Sequence, residues 1–258
     1  MLPYIEQPTL QIGSYELQAF PVLVLAAIVA QFQISLSRAP KAGIRRRTAS
    51  ELTGWAIGLG LVGAHVFDVL AYQPAKFREN PLVLLQVWSS LSSFGGMIGG
   101  LLGLFLVMRV REMSGAAMLR FVDCLIYALP FTLAIGRLGC ALQHDHPGRA
   151  STHWLAVAFP DVSRFDLGLL EFLYCTALAG LFLVLGRKQR PDGFFIGLFF
   201  VLYGPVRFQM DALRIVEMRY QGWTPGQYLS IVATVVGAAV LVAVFRRAAA
   251  ARGSDATA

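Results

Sequence analysis

Seven apolar stretches of roughly bilayer length constrain this chain more than any other feature. A helix crosses the hydrocarbon layer with about 20 residues. Inside lipid every backbone polar group must find a partner within the protein, which leaves helices or closed barrels. The stretches cover about 17–36, 52–72, 94–108, 121–142, 167–185, 194–213 and 228–245. They imply an all-α membrane protein with seven transmembrane helices, and the composition agrees. Only 14% of residues are charged and 56% are hydrophobic, against roughly 25% charged in soluble domains, and mean hydropathy is +0.60.

Between the second and third stretches lie Pro74, Asn80 and Pro81, then 82–88. That run is too short to span, and it reads as an interfacial arm before the third span. Trp88, Trp154, Tyr72 and Tyr220 read as interfacial aromatics. The polar, turn-rich start up to Gly13 has no basic segment ahead of the first apolar run, so no removable signal peptide is evident. The three cysteines, Cys124, Cys140 and Cys175, fall in apolar runs, which favours packed, reduced thiols over a disulfide framework.

The net charge of +7 is not a nucleic-acid footprint, because the basic residues sit in short connections. Their placement orients the chain. With the N-terminus outside, the cytoplasmic side holds Arg38, Lys41, Arg45, Arg46, Arg47, Arg109, Arg111, Arg120, Arg187, Lys188, Arg190, Arg246, Arg247 and Arg252. The outer side holds Lys76, Arg78, Arg149, Arg164, Arg214 and Arg219. Fourteen against six is a positive-inside bias. The N-terminus is therefore expected outside and the C-terminus in the cytoplasm. Residues 1–247 read as one seven-helix domain, and the Ala-rich 248–258 as a disordered cytoplasmic tail.

In this orientation His65 and Asp68, Arg137, Glu171, and Arg207 and Asp211 share one slab near the outer interface, with His144-Asp145-His146 just above. Charge at that depth costs about 2.5–3.5 kcal/mol per residue on insertion scales and marks a functional site by default. His65 with Asp68 and Arg207 with Asp211 each share a helix face, so two structural ion pairs are one account. Two arginines from different spans suit an anion site instead, because guanidinium binds phosphate in a bidentate manner. The anion at this level is a phospholipid head group. Gly95-Gly96 and Gly99-Gly100 suggest close helix packing first, and backbone N–H approach to a phosphate second.

The His144-Asp145-His146 run allows three readings: an interfacial loop, a hydrogen-bonding or general-base role, or, with His65 or His153, a metal site. The metal reading needs a specific turn to bring i and i+2 together. Asp123, at the cytoplasmic start of its span, suits a helix N-terminus.

These residues resemble a known family, the bacterial prolipoprotein diacylglyceryl transferases. The run Gly136-Arg137-Leu138-Gly139 followed by Gly148-Arg149 is similar to its signature. Asn80-Pro81-Leu82, Val87-Trp88 and Ser93-Phe94-Gly95-Gly96-Met97-Ile98-Gly99 resemble its arm and glycine-rich span. Tyr203-Gly204-Pro205-Val206-Arg207, with Asp211 and Arg214, and Gly226-Gln227-Tyr228-Leu229-Ser230 resemble its later motifs, and Asp123 and Pro130 fall in register.

The resemblance implies a multi-pass enzyme of the bacterial inner membrane. Such an enzyme passes the diacylglyceryl group of phosphatidylglycerol to the lipobox cysteine of a preprolipoprotein, with no cofactor. It implies catalytic or substrate-binding roles for Arg137, Arg207, Tyr203, Asp211, Gly95, Gly96, Gly139 and Gly148. Asp145 stands at the family's glutamate. The chain departs from the family at Phe94 (family His), Cys140 and Gln143 (Asn), Phe20 (Tyr) and His65 (Arg), and by placing His144 and His146 around Asp145. The base is therefore expected among His65, His144, Asp145 and His146. Two alternatives stay open: a paralogue with another acceptor, metal-assisted through the His-Asp-His loop, and a non-catalytic lipid-binding protein.

Overall fold

The computed structural model describes residues 1–86, 90–215 and 218–255. The run Val87-Trp88 and the last residues of the expected tail lie outside the described residues. Among the described residues eight α-helices form, one at each predicted apolar run and one short addition. They are α1 (Ala19–Arg38), α2 (Arg46–Tyr72), α3 (Pro74–Glu79), α4 (Ser93–Val110), α5 (Gly115–Gln143), α6 (Leu167–Leu185), α7 (Phe194–Ala212) and α8 (Pro225–Asp255). Six of them, all but α3 and α7, are long and apolar enough to cross a membrane. The remaining long helix, α7, has 19 residues and carries Arg207, Gln209 and Asp211 near its end. The arm region forms α3 and a 3-10 turn over Pro81–Leu85. Helix α8 runs on to Asp255, beyond the expected end near residue 245 and into the segment read as a tail.

Two parts of the chain that read as irregular pair as strands. The polar start forms a hairpin of β1 (Thr9–Ile12) and β2 (Tyr15–Gln18), turning at Gly13 with φ +61°. The long loop after α5 folds into an antiparallel sheet of β3 (Pro147–Ala150), β4 (Val157–Ala158) and β5 (Ser163–Asp166), in the order β3-β5-β4. Leu2 extends the β4 edge in parallel. Its N–H donates to Ala156 O at 2.8 Å and its carbonyl accepts from Ala158 N at 3.0 Å. These strands are too short for periodicity to reveal, and they form by backbone pairing with distant segments.

The chain resolves into two compact units. One comprises Met1–Gln33, Ala128–Gln189 and Gln209–Val216; the other comprises Ile34–Tyr127, Arg190–Phe208 and Glu217–Ala258. The first holds the hairpin, the sheet, α6, the later part of α5 and the end of α7. In the second, α2 lies against α4 along a glycine seam. A Cβ added at Gly63 would meet Gly99 Cα at 2.5 Å and Gly95 O at 2.8 Å. One added at Gly95 would meet Phe67 Cβ at 2.5 Å, so the two backbones touch with no side chain between them. A Cβ added at Gly96 would meet Ala64 Cβ and Gly60 O, both at 3.6 Å. The glycine run thus follows the helix-packing reading.

Also in the second unit, Asp123 Oδ1 accepts from Ile196 N at 2.9 Å. The carboxylate therefore sits at a helix N-terminus as expected, but the helix is α7 rather than its own. Arg38 lies over the Tyr127 ring at 3.7 Å. Cys124, Cys140 and Cys175 are buried free thiols.

The seam makes a graded prediction. Gly63→Ala places a methyl on backbone and is expected to destabilise by about 1–3 kcal/mol through overpacking. Gly58→Ala meets nothing within 4 Å and should leave stability unchanged or slightly raised. Thermal unfolding of the two variants in detergent checks the contrast.

Candidate active site

The first unit gathers most of the ionisable side chains singled out in the sequence. Arg137, near the end of α5, is 5% exposed, and its Nε lies 3.1 Å from Oε2 of Glu171 on α6. Its Nη1 lies 3.9 Å from the Cys140 sulfur, one turn further along α5. A guanidinium this deep needs a counter-charge, and the second turn of α6 supplies it. The two helix ends come close because Gly168 has no side chain: a Cβ there would meet Ala141 N at 2.8 Å and Cys140 Cβ at 3.0 Å.

Asp166, just ahead of α6, ties the following loop down. Its Oδ1 caps the helix by accepting from Leu169 N at 3.0 Å, and its Oδ2 lies 2.5 Å from His144 Nδ1. The other ring nitrogen of His144 is 3.0 Å from Ile5 O. The ring stacks on Tyr4 at 4.2 Å between centroids and meets Phe159 edge-on at 5.1 Å. Both nitrogens of His144 are therefore engaged in holding the loop. Its backbone adopts φ +54°, in the left-handed region, and this reverses the chain just past α5.

That reversal redraws the grouping expected from sequence. His144 turns away to Asp166, while Asp145 and His146 fold back over the helix end, where Cys140 joins them. The ligand-type atoms of Cys140, Asp145 and His146 all lie within 4.8 Å of one another. His146 Nδ1 is 3.8 Å from Asp145 Oδ1 and 3.0 Å from the Asp145 carbonyl. The Asp145 side chain is 29% exposed. Burial by its surroundings pushes its carboxyl above the ordinary 3.8, with the charge of Asp166 adding and Arg137 and Arg214 opposing.

The signature glycines pack closely here. A Cβ added at Gly139 would meet the Phe20 ring at 3.1 Å, and one at Gly148 would meet Phe165 O at 3.0 Å and Leu167 Cδ2 at 3.1 Å. Gly148 bridges Arg214, and Arg149 N donates to Leu213 O at 3.0 Å, so the loop is stitched to the chain following α7. Asp211 pairs with Arg214, Oδ1 to Nε at 3.1 Å.

The second unit holds the remaining candidates. His65, fully buried, does not pair with Asp68. Its Nδ1 faces Ser90 O at 3.2 Å and its Nε2 faces Val83 O at 3.0 Å. Asp68 accepts from Gln73 Nε2 at 2.5 Å and Ser90 Oγ at 2.6 Å. Both side chains thus fasten the arm to α2. Tyr203 is buried and stacked on Phe199 at 5.0 Å, and Arg207 is 5% exposed on α7. Gln227 and Thr224 form a reciprocal capping box at the start of α8: Gln227 N donates to Thr224 Oγ1 at 3.1 Å, and Thr224 N to Gln227 Oε1 at 3.0 Å. Phe94, where the resemblance expects histidine, is buried.

Asp166 was not singled out in the sequence, Cys140 stood there only as a departure from the family, and Glu171 was placed in the charged slab without Arg137 as its named partner. Asp166 did carry a signal, an aspartate immediately before an apolar run, the mark of an N-cap.

These features define a polytopic helical membrane protein with a buried arginine–carboxylate pair beneath a loop of ionisable side chains. The model of the family "Prolipoprotein diacylglyceryl transferase" matches residues 7–243, and the chain belongs to that family. Among its relatives, the phosphatidylglycerol–prolipoprotein diacylglyceryl transferase of Janthinobacterium sp. (strain Marseille) is 29% identical over 265 residues, covering 95% of this chain and 97% of the relative. The protein of the same name from Francisella tularensis subsp. novicida (strain U112) is 28% identical over 257 residues, with 94% of each chain covered.

The Arg137–Glu171 pair generates a prediction. Glu171→Gln leaves the guanidinium buried without its counter-charge and is expected to lower stability by about 3–5 kcal/mol, read as a reduced unfolding midpoint in detergent. Exchange at the exposed pair of Arg111 and Glu51, 2.6 Å apart, should cost at most about 1 kcal/mol.

Proposed function

We propose that this chain transfers the diacylglyceryl group of phosphatidylglycerol to the lipobox cysteine of a preprolipoprotein, the first step of lipoprotein maturation. Family membership over residues 7–243 supports the reaction. The observation that carries it on the chain itself is Arg137: a guanidinium buried in the signature run, held by Glu171 and close enough for its charge to act on Asp145. We read α7 as a seventh span, the N-terminus as outside, the arm as interfacial, residues 1–247 as one functional domain and the bacterial inner membrane as the location. The positive-inside bias supports this orientation.

In this reading Arg137 neutralises charge on the phosphate as it departs, and Arg207 is kept as the second arginine that the resemblance implies for the reaction. The acceptor thiol loses its proton to Asp145. The thiolate then attacks the glycerol carbon that bears the phosphate ester. A carbon–sulfur bond forms, the carbon–oxygen bond breaks, and glycerol phosphate leaves with the electron pair. Asp145 is the preferred acceptor because both ring nitrogens of His65 and of His144 are engaged by other groups. His144 serves as a positioning residue that sets the loop, and His146 stands beside Asp145. Tyr203 and Asp211 lie on α7 as Arg207 does and are read as its supporting residues, while Gly95, Gly96, Gly139 and Gly148 contribute by close packing.

Purified protein given phosphatidylglycerol and a lipobox peptide should yield a diacylglyceryl-modified peptide by mass. Absence of the adduct, under conditions where a relative is active, overturns the reading. Arg137→Ala and Arg207→Ala should each lower the rate by about 10²–10³-fold, the usual loss for one charge-stabilising donor. The pH profile carries a sign. A base must be ionised, so the rate should climb with pH through the raised Asp145 value, and Asp145→Asn should remove that limb along with most of the activity.

A further inference from the structure

The geometry points to a binding site for a divalent transition-metal ion of the zinc class at Cys140, Asp145 and His146. A thiolate sulfur, a carboxylate oxygen and an imidazole nitrogen are the three donor types that zinc takes, and three protein ligands leave a fourth position for water. Their atoms already lie within 4.8 Å of one another. Shifts of about an ångström would bring them to bonding distances near 2.0–2.3 Å from a common centre.

The site is built on fixed parts. Cys140 sits in the last turns of α5, pressed against Gly168 of α6. Asp145 and His146 are returned over it by the left-handed backbone of His144, which Asp166 and Tyr4 clamp in place. Access is from the loop side, where the Asp145 and His146 side chains are 29% and 27% exposed, while the thiol lies buried below.

The charges match as well. Metal binding displaces the thiol proton, so the ligand set brings two negative charges to a doubly positive ion. The nearby Arg137 cation, 3.9 Å from the sulfur, is offset by Glu171 at 3.1 Å. His144 is not a ligand, since its ring nitrogens face Asp166 and Ile5.

Occupancy ties up the Asp145 carboxylate, so the ion acts as a reversible inhibitor of transfer. This consequence rests on the proposed role of Asp145 as proton acceptor; binding itself does not.

The probe is Co²⁺, titrated into the full-length protein in detergent and followed by the thiolate-to-cobalt charge-transfer absorption. One equivalent is expected, displaced by Zn²⁺, which binds such ligands more tightly. Cys140→Ser should abolish the band, and Cys124→Ser and Cys175→Ser should retain it. His146→Ala, a loop substitution that does not disturb the helix packing, should weaken binding at least tenfold. No band, a band that survives Cys140→Ser, or unchanged affinity in His146→Ala overturns the site. Zn²⁺ should also stop diacylglyceryl transfer, with recovery on chelation. Persistent transfer by protein whose cobalt titration shows the site saturable overturns the inhibitory role and leaves the binding result intact.

Discussion

A guanidinium cannot stay in a hydrocarbon-facing helix bundle without a counter-charge, and much of the first unit follows from that requirement at Arg137. Glu171 must reach it from α6, so the start of α6 must approach the end of α5. The approach leaves no room for a side chain at residue 168. Once the two ends are pinned, Asp166 is placed to cap α6 and to hold His144, and past the turn at His144 the side chains of Asp145 and His146 meet Cys140. A costly buried pair of this kind adds little net stability. Its value lies in fixing one arrangement of helix ends and loop out of many that apolar packing alone would tolerate.

The helices were legible because lipid imposes length and apolarity on them. Every run of the expected length became a helix, with ends shifted by at most about six residues except for the end of α8, which runs on to Asp255, and the capping Thr224 and Gln227 set one of those boundaries. The position of Arg137 as the central charge was also legible, since an arginine in an apolar run is conspicuous against its neighbours. What escaped was pairing at a distance. The sheet of β3, β4 and β5 rests on strands of two to four residues held by backbone hydrogen bonds. Such strands leave no periodic trace. Partner choice escaped for the same reason: His65 and Asp68 share a helix face, yet each finds its partners on the arm and its flanks rather than in the other.

The glycines show how one residue type serves a membrane protein in two ways. Along α2 and α4 they let two backbones touch, replacing the hydrophobic drive that lipid cannot supply with direct van der Waals contact. At residue 168 the same absence of a Cβ lets the start of α6 approach the end of α5 beside Arg137 and Cys140. The departures from the family that the resemblance implies fall in both places: at Phe20, Cys140, Gln143, His144 and His146 around that neighbourhood, and at His65 and Phe94 beside the α2–α4 seam. The scaffold tolerates little change in volume where backbones touch.

The extreme N-terminus has a practical consequence for anyone handling the molecule. Leu2 is paired to the β4 edge, Tyr4 lies on the His144 ring and the carbonyl of Ile5 meets its second nitrogen. The opening residues are thus part of the wall of the charged loop. A purification tag joined ahead of Leu2, or a trim of the first few residues, would act on the chemistry of residues far along the sequence while leaving every membrane helix intact.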